Sequence, residues 1–129
     1  MTTDTLLSLT QWLSPSYPLG SFAYSHGLEA ALADGWVHDA ASLQMWLDDV
    51  LTDGSGRADA ILFCTAFKAR SDEDLRRVDA IGRAFAASSE RLRESLNQGT
   101  AFARTVQGTA EFPVPDMLLP CLLYTSPSP

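Results

Sequence analysis

Apolar residues recur at helical spacing along most of this chain. Between Asp39 and Gly54 they fall at i, i+3, i+4, i+7 and i+8, on Leu43, Trp46, Leu47, Val50 and Leu51. This spacing places them on one face of an α-helix. No segment shows the convincing alternation of apolar and polar residues that is typical of a strand, and Ala and Leu outnumber Val and Ile. The sequence therefore predicts an all-α fold.

Turn and capping residues divide the chain into about six helices. The first ends before Ser14-Pro15, because proline disfavours the helical conformation of the preceding residue. Ser21 is expected to cap a second helix that runs to about Asp34, with Gly35 as its stop. Asp39 is expected to cap the third helix, which the glycines around Ser55 interrupt.

The second half of the chain gives three more predicted helices. Residues 57–70 are apolar on most sides, which indicates a central, buried helix with Cys64 as a small core residue. Ser71 with Asp74 resembles a capping box at the start of the fifth helix. Ser88 or Ser89 starts the sixth, which Gly108 is expected to end. The predicted inner faces of these last two helices comprise Leu75, Val78, Ile81, Gly82 and Phe85, then Leu92, Leu96, Gly99, Ala103 and Val106.

Length and charge limit the classes of function. A chain of 129 residues with a net charge of −7 fits one domain and argues against a general nucleic-acid binder, which needs a basic surface. Residues 1–56 carry seven acidic residues and no Lys or Arg, whereas residues 57–104 hold all nine bases. This asymmetry indicates either an acidic, partner-facing side or ordinary solvated helix faces. Two cysteines form no disulfide framework, and the start of the chain resembles neither a signal peptide nor a membrane span, so we expect a cytoplasmic protein.

The segment SPSYPLGSFAYSHGLE, residues 14–29, is the most unusual in composition. It contains Ser25 in a context one glycine short of the G-x-S-x-G pattern of serine hydrolases. A hydrophobic strand should precede such a serine, but prolines and a glycine stand there instead. Apart from the adjacent His26, the only downstream histidine is His38. A hydrolase using Ser25 is therefore kept only as an alternative hypothesis.

Other chemistry is poorly supported. His26 and Glu29 could share a helix face with His38 nearby, but two histidines without cysteine partners are a thin set of metal ligands. The glycines of the segment lack the spacing of a phosphate-binding loop. We therefore expect no cofactor, no stable metal site and no catalytic residue. Phe22 and Tyr24 suit either an interface or the core.

The opening segment resembles a known family. Residues 13–51 are similar to the N-terminal part of the UreF family of urease accessory proteins, and the similarity extends over about residues 5–116. Its signature is carried by Ser14, Pro15, Pro18, Leu19, Gly20, Phe22, Ser25, Gly27, Leu28 and Glu29. Gly35-Trp36-Val37, Asp39 and LNQGTAFARTVQG (residues 96–108) fit the same pattern.

The resemblance implies an all-α, non-catalytic adaptor that forms dimers. Such proteins link a scaffold of the UreD/UreH type to the nickel-carrying GTPase UreG and assist nickel insertion into apo-urease. The resemblance also implies a partner-binding segment at the start of the second helix. By position its residues are Pro18, Gly20, Ser21, Phe22, Tyr24, His26 and Glu29. A generic helical interaction module unrelated to nickel is a further alternative.

The last residues depart from the helical pattern. Five of the seven prolines lie within residues 113–129. We therefore expect residues 1–112 to form the N-terminal part of a UreF-like domain. Residues 113–129 are expected to be an unstructured or non-native tail, in a chain shorter than its family. A shortened helical domain should leave apolar surface uncovered, for example on residues 61–67.

Overall fold

The computed structural model describes residues 3–107 and Met117, and the regular secondary structure of this part of the chain is entirely helical. It contains six α-helices: α1 (Thr3–Trp12), α2 (Leu28–Ala33), α3 (Ala40–Thr52), α4 (Ser55–Phe67), α5 (Asp72–Ala84) and α6 (Ser89–Gln107). A short 3₁₀ helix, Ser21–Ala23, lies between α1 and α2. The predicted all-α fold is confirmed. No helix in the described ranges is long and apolar enough to cross a membrane.

Capping side chains fix several helix starts where the sequence predicts them. The side chain of Asp39 accepts a hydrogen bond from the backbone N–H of Ser42, and Ser42 completes the capping box at the start of α3. Ser71 caps α5 by accepting from the N–H of Asp74 at 3.1 Å. Ser88 Oγ accepts from the N–H of Arg91 and so caps α6. Each contact satisfies a backbone donor that the first helical turn leaves without an intrahelical partner.

The core forms around one face of α6. Phe102 and Val106 of α6 are almost completely buried, and Ala66 of α4 and Val78 of α5 pack into the same cluster. Of the predicted inner face of α6, Gly99, Ala103 and Val106 are buried and the two leucines are half-buried. Residues of α4 and α5 thus pack into a core cluster to which α6 contributes most. In addition, α3 packs on α4 and α4 packs on α5.

The prediction that α4 is buried on most sides is wrong. Its only buried residue is Ala66, whereas Ile61 and Phe67 are each 56% exposed and Cys64 is also exposed. The helix contributes one narrow stripe to the core, and much of its remaining apolar surface is exposed to solvent. The expectation of uncovered apolar surface on residues 61–67 is therefore confirmed. Ile81 of α5 and Phe85, the residue that follows α5, are likewise exposed, although their spacing predicted an inner face.

The end of the chain is largely outside the described residues. This applies to Gly108 as the predicted stop of α6, and to residues 113–129 except Met117, which packs into the core cluster. The domain limit at residue 112 and the unstructured or non-native tail stay predictions.

Candidate functional site

The opening loop, residues 13–27, connects α1 to α2 and carries most of the predicted partner-binding residues. Gly20 adopts a left-handed conformation with φ 72°, a single 3₁₀ turn follows, and Tyr24 is extended. His26 and Gly27 then both have positive φ, at 53° and 87°. The backbone therefore changes direction twice between the two helices.

This geometry corrects the predicted start of the second helix. The α-helix begins at Leu28 rather than Ser21, because left-handed residues at 26 and 27 cannot belong to a right-handed helix. Ser21 lies in the 3₁₀ turn and its side chain is not a helix cap. The predicted end is correct: Asp34 terminates α2 and Gly35 follows with φ 76°.

Aromatic packing anchors the first half of the loop. Tyr17 is buried, and its ring centroid lies 5.8 Å from that of Phe102 on α6. Trp12, at the end of α1, meets the same Phe102 ring edge-on at 5.7 Å. Leu19 also packs against the core cluster. Desolvation by burial raises the pKa of the Tyr17 phenol.

Phe22 projects from the loop into solvent. Phe22 is 87% exposed, so of the two predicted roles, interface or core, the core is excluded for this residue. Pro18 and Gly20 on the same loop are also exposed. Tyr24 is half-buried, and its hydroxyl oxygen accepts a hydrogen bond from the Asn97 side-chain amide of α6 at 3.3 Å.

A polar cluster holds the second half of the loop. The Nε2 atom of His26 lies 3.7 Å from Oε1 of Glu94, a buried carboxylate on α6. The same oxygen lies 3.0 Å from a guanidinium nitrogen of Arg91 and accepts a hydrogen bond from Gln98 at 3.0 Å. The predicted shared helix face of His26 and Glu29 is absent, because His26 precedes α2 and Glu29 is an exposed residue of its first turn.

The cluster continues to α4. Arg91 donates through its other guanidinium nitrogen to the carboxylate of Asp59 at 2.7 Å. Desolvation raises the pKa of Asp59, and the nearby positive charge of Arg91 opposes that shift. One guanidinium therefore bridges two carboxylates that come from different helices.

The two histidines have partners other than Ser25. His26 faces Glu94, and Nδ1 of His38 lies 3.1 Å from the backbone oxygen of Gly35. The pairing of serine and imidazole that a serine hydrolase requires is therefore not provided by these contacts. Within the described residues, no group of three or more His, Cys, Asp and Glu side chains is arranged to hold a metal ion.

Sequence reasoning did not identify the residues that hold the loop. The predicted site does not include Tyr17, Asp59, Arg91 or Glu94. The contacts of Tyr17 with Phe102 and of Glu94 with His26 join residues more than sixty positions apart along the chain. Only Glu94 has a sequence context that weakly indicates a buried polar role. It is an acidic residue on the apolar side of α6, one position before Ser95-Leu96 and four before the buried Gln98.

Together, the helices and the opening loop define a small all-α protein whose aromatic-bearing loop is fastened to its central helix. The model of the UreF family matches residues 37–126, which is more than half of the chain. The chain therefore belongs to the UreF family.

Curated relatives agree with this assignment. The chain is 53% identical over 106 residues to urease accessory protein UreF of Roseobacter denitrificans, and the matched segment covers 82% of this chain and 47% of the relative. It is 49% identical over 124 residues to urease accessory protein UreF of Cereibacter sphaeroides (strain KD131), covering 96% and 58%. For the protein of the same name from Mesorhizobium japonicum the identity is 51% over 100 residues, covering 77% and 45%. The chain spans about half the length of the curated relatives it matches.

Proposed function

We propose that this chain acts as a urease accessory protein, a non-catalytic cytoplasmic adaptor in nickel insertion into apo-urease. It links a scaffold of the UreD/UreH type to the nickel-carrying GTPase UreG and works as a homodimer. The observation that carries the proposal is membership of the UreF family, whose curated members named above are all called urease accessory proteins. Nickel is the cargo of the assembly in this proposal.

The opening loop supplies the proposed partner surface. Its residues in this role are Pro18, Gly20, Ser21, Phe22, Tyr24, His26 and Glu29. An aromatic side chain that is 87% exposed, as Phe22 is, leaves apolar area in contact with water. Aromatic anchors that become buried on association account for much of the binding energy in protein interfaces. The two attachments of the loop to α6 support such a role, since a loop held in place loses less conformational entropy on binding.

Complementation by a chimaera tests the proposed function. In a strain lacking its own UreF protein, the matching 106 residues of the Roseobacter denitrificans relative are replaced by those of this chain. We expect the chimaera to restore urease activity and the nickel content of purified urease, as the unaltered relative does. A Phe22→Asp chimaera should restore neither, because a charge replaces the proposed apolar anchor. A soluble chimaera that leaves urease without nickel would contradict the proposal.

A further inference from the structure

The opening loop runs antiparallel to α6 and is fastened to it at both ends. Tyr17 contacts Phe102, Tyr24 contacts Asn97 and His26 faces Glu94. From Glu94 to Phe102 the helix rises only about 12 Å. The chain between Tyr17 and His26 could reach about 30 Å if extended. The excess length is consistent with the turn between the two attachments, from which Phe22 projects.

The two attachments differ in kind. At the Phe102 end, the loop is held by buried aromatic packing that belongs to the core. At the Glu94 end, it is held by polar contacts at the surface, one of them to an imidazole whose side chain is 40% exposed. Local opening draws on the less buried contacts first. The Glu94 end therefore controls whether the exposed turn keeps its position.

The cluster that His26 faces carries unequal charge. The charged and titratable groups that face His26 are Glu94 and Arg91 from α6 and Asp59 from α4. One guanidinium among two carboxylates leaves an excess of negative charge next to the ring. A ring nitrogen of His26 faces this negative charge at 3.7 Å, and that contact attaches the second half of the loop to α6.

The backbone at His26 gives independent support. Its φ of 53° lies in the left-handed region, where residues other than glycine are uncommon, although histidine is among those found there more often than most. Such conformations persist when surrounding contacts hold them. The contact of its ring with a buried carboxylate is a contact of that kind.

We propose that Glu94, acting through His26, is a positioning residue for the partner-binding loop: it holds residues 20–26 on α6 in the arrangement that presents Phe22. This inference rests on the proposed function for the identity of the partner. The inference goes beyond the proposed function because it assigns control of the partner surface to Glu94, a buried residue of α6.

Hydrogen exchange tests the positioning role on the chain alone. The reporters are the backbone amides of Ala23 and Tyr24, which donate within the turn to Gly20 and Ser21. In Glu94→Gln, we expect their protection factors at pH 6 to fall about fivefold, the effect of losing one ion pair.

Two further variants separate positioning from general stability. Asp79→Asn is the matched control, because Asp79 is also a buried carboxylate, paired with Arg83 at 2.6 Å, but on α5. Asp79→Asn should leave the protection factors of the Ala23 and Tyr24 amides unchanged. His26→Asn removes the imidazole but suits a left-handed backbone, so it should lower the protection factors of Ala23 and Tyr24 with the fold intact. Equal effects of Glu94→Gln and Asp79→Asn, or no effect of Glu94→Gln, would overturn the inference.

Partner retention is measured separately, so that the two proposals can fail independently. We expect Glu94→Gln to weaken retention of the urease scaffold and GTPase by the tagged chain, and Asp79→Asn to leave it unchanged. Faster exchange in Glu94→Gln together with no retention by the native chain would support the positioning role and contradict the proposed function. Native retention that Glu94→Gln leaves unaltered would overturn the role of Glu94 in presenting Phe22.

Discussion

At the scale of single residues, the clearest agreement between sequence and structure lies in the helix caps. Asp39, Ser71 and Ser88 all accept hydrogen bonds from helix-start amides, as their positions predicted. Such contacts are local, so the residues that make them lie three positions apart and can be recognised without knowing the fold. The loop at Gly20 and His26 was mispredicted because its conformation depends on contacts with α6, far along the chain.

Ser42 is expected to matter for stability despite its small size. It is buried, and its hydroxyl oxygen accepts hydrogen bonds from the backbone amides of His38 and Asp39, each at 3.0 Å. Ser42→Ala leaves both donors without this partner and should lower the free energy of unfolding by about 1–3 kcal/mol. Urea unfolding measures the change. Ser16→Ala, at an exposed serine, is the control, and an equal loss in both variants would contradict this role.

Acid should weaken the cap at α3. Hydrogen bonds from the backbone and side chain of Ser42 hold the pKa of Asp39 below its usual value. The folded chain therefore binds fewer protons at this group than the unfolded chain does, and its stabilising effect is present above about pH 4 and lost as the pH falls further. We expect urea unfolding between pH 5 and 2.5 to show a smaller loss of stability for Asp39→Asn. An identical acid profile would contradict the assignment.

At the scale of elements, α6 is the structural centre of the described chain. Three of its predicted inner positions are buried because the helix is long and its stripe continuous, but Phe102, its most buried large side chain, was not among the predicted positions. The burial of α4 was overpredicted, since an apolar sequence shows that a helix can be covered but not which neighbours cover it. The polar cluster was missed for a similar reason: Asp59, Arg91 and Glu94 meet only once α4 and α6 are placed together.

Removing the central side chain of α6 should be severely destabilising. Phe102 is 1% exposed and contacts Trp12 of α1 and Tyr17 of the opening loop. Phe102→Ala should lower the free energy of unfolding by about 3–5 kcal/mol, because it leaves a cavity where three elements meet. Phe85→Ala is the control, since this phenylalanine is 84% exposed. Urea unfolding of the two variants compares them, and similar losses would show that α6 is not the core.

At the scale of the whole molecule, much apolar surface remains open to solvent. A groove of about 560 Å³ lies between α4, α5 and α6, with Ile61, Ile81 and Phe85 on its walls. Patches of this kind favour association. The sequence predicted uncovered surface on α4 but not the groove, which depends on how three helices pack. Family membership, by contrast, was recognisable from the sequence, because the prolines, glycines and aromatics of residues 13–51, together with residues 96–108, follow a specific order. The match to the UreF family confirms that recognition.

The central proposal is that the opening loop of this UreF-family chain binds the urease assembly machinery. Co-purification tests it most directly, with the tagged chain expressed beside the UreD/UreH-type scaffold and the GTPase UreG of the same source. Phe22→Ala is compared with Phe85→Ala, which removes an equally exposed ring from another surface. We expect the native chain and Phe85→Ala to retain the partners and Phe22→Ala to lose them with its helicity unchanged. No retention by a folded native chain, or equal retention by Phe22→Ala, would contradict the account.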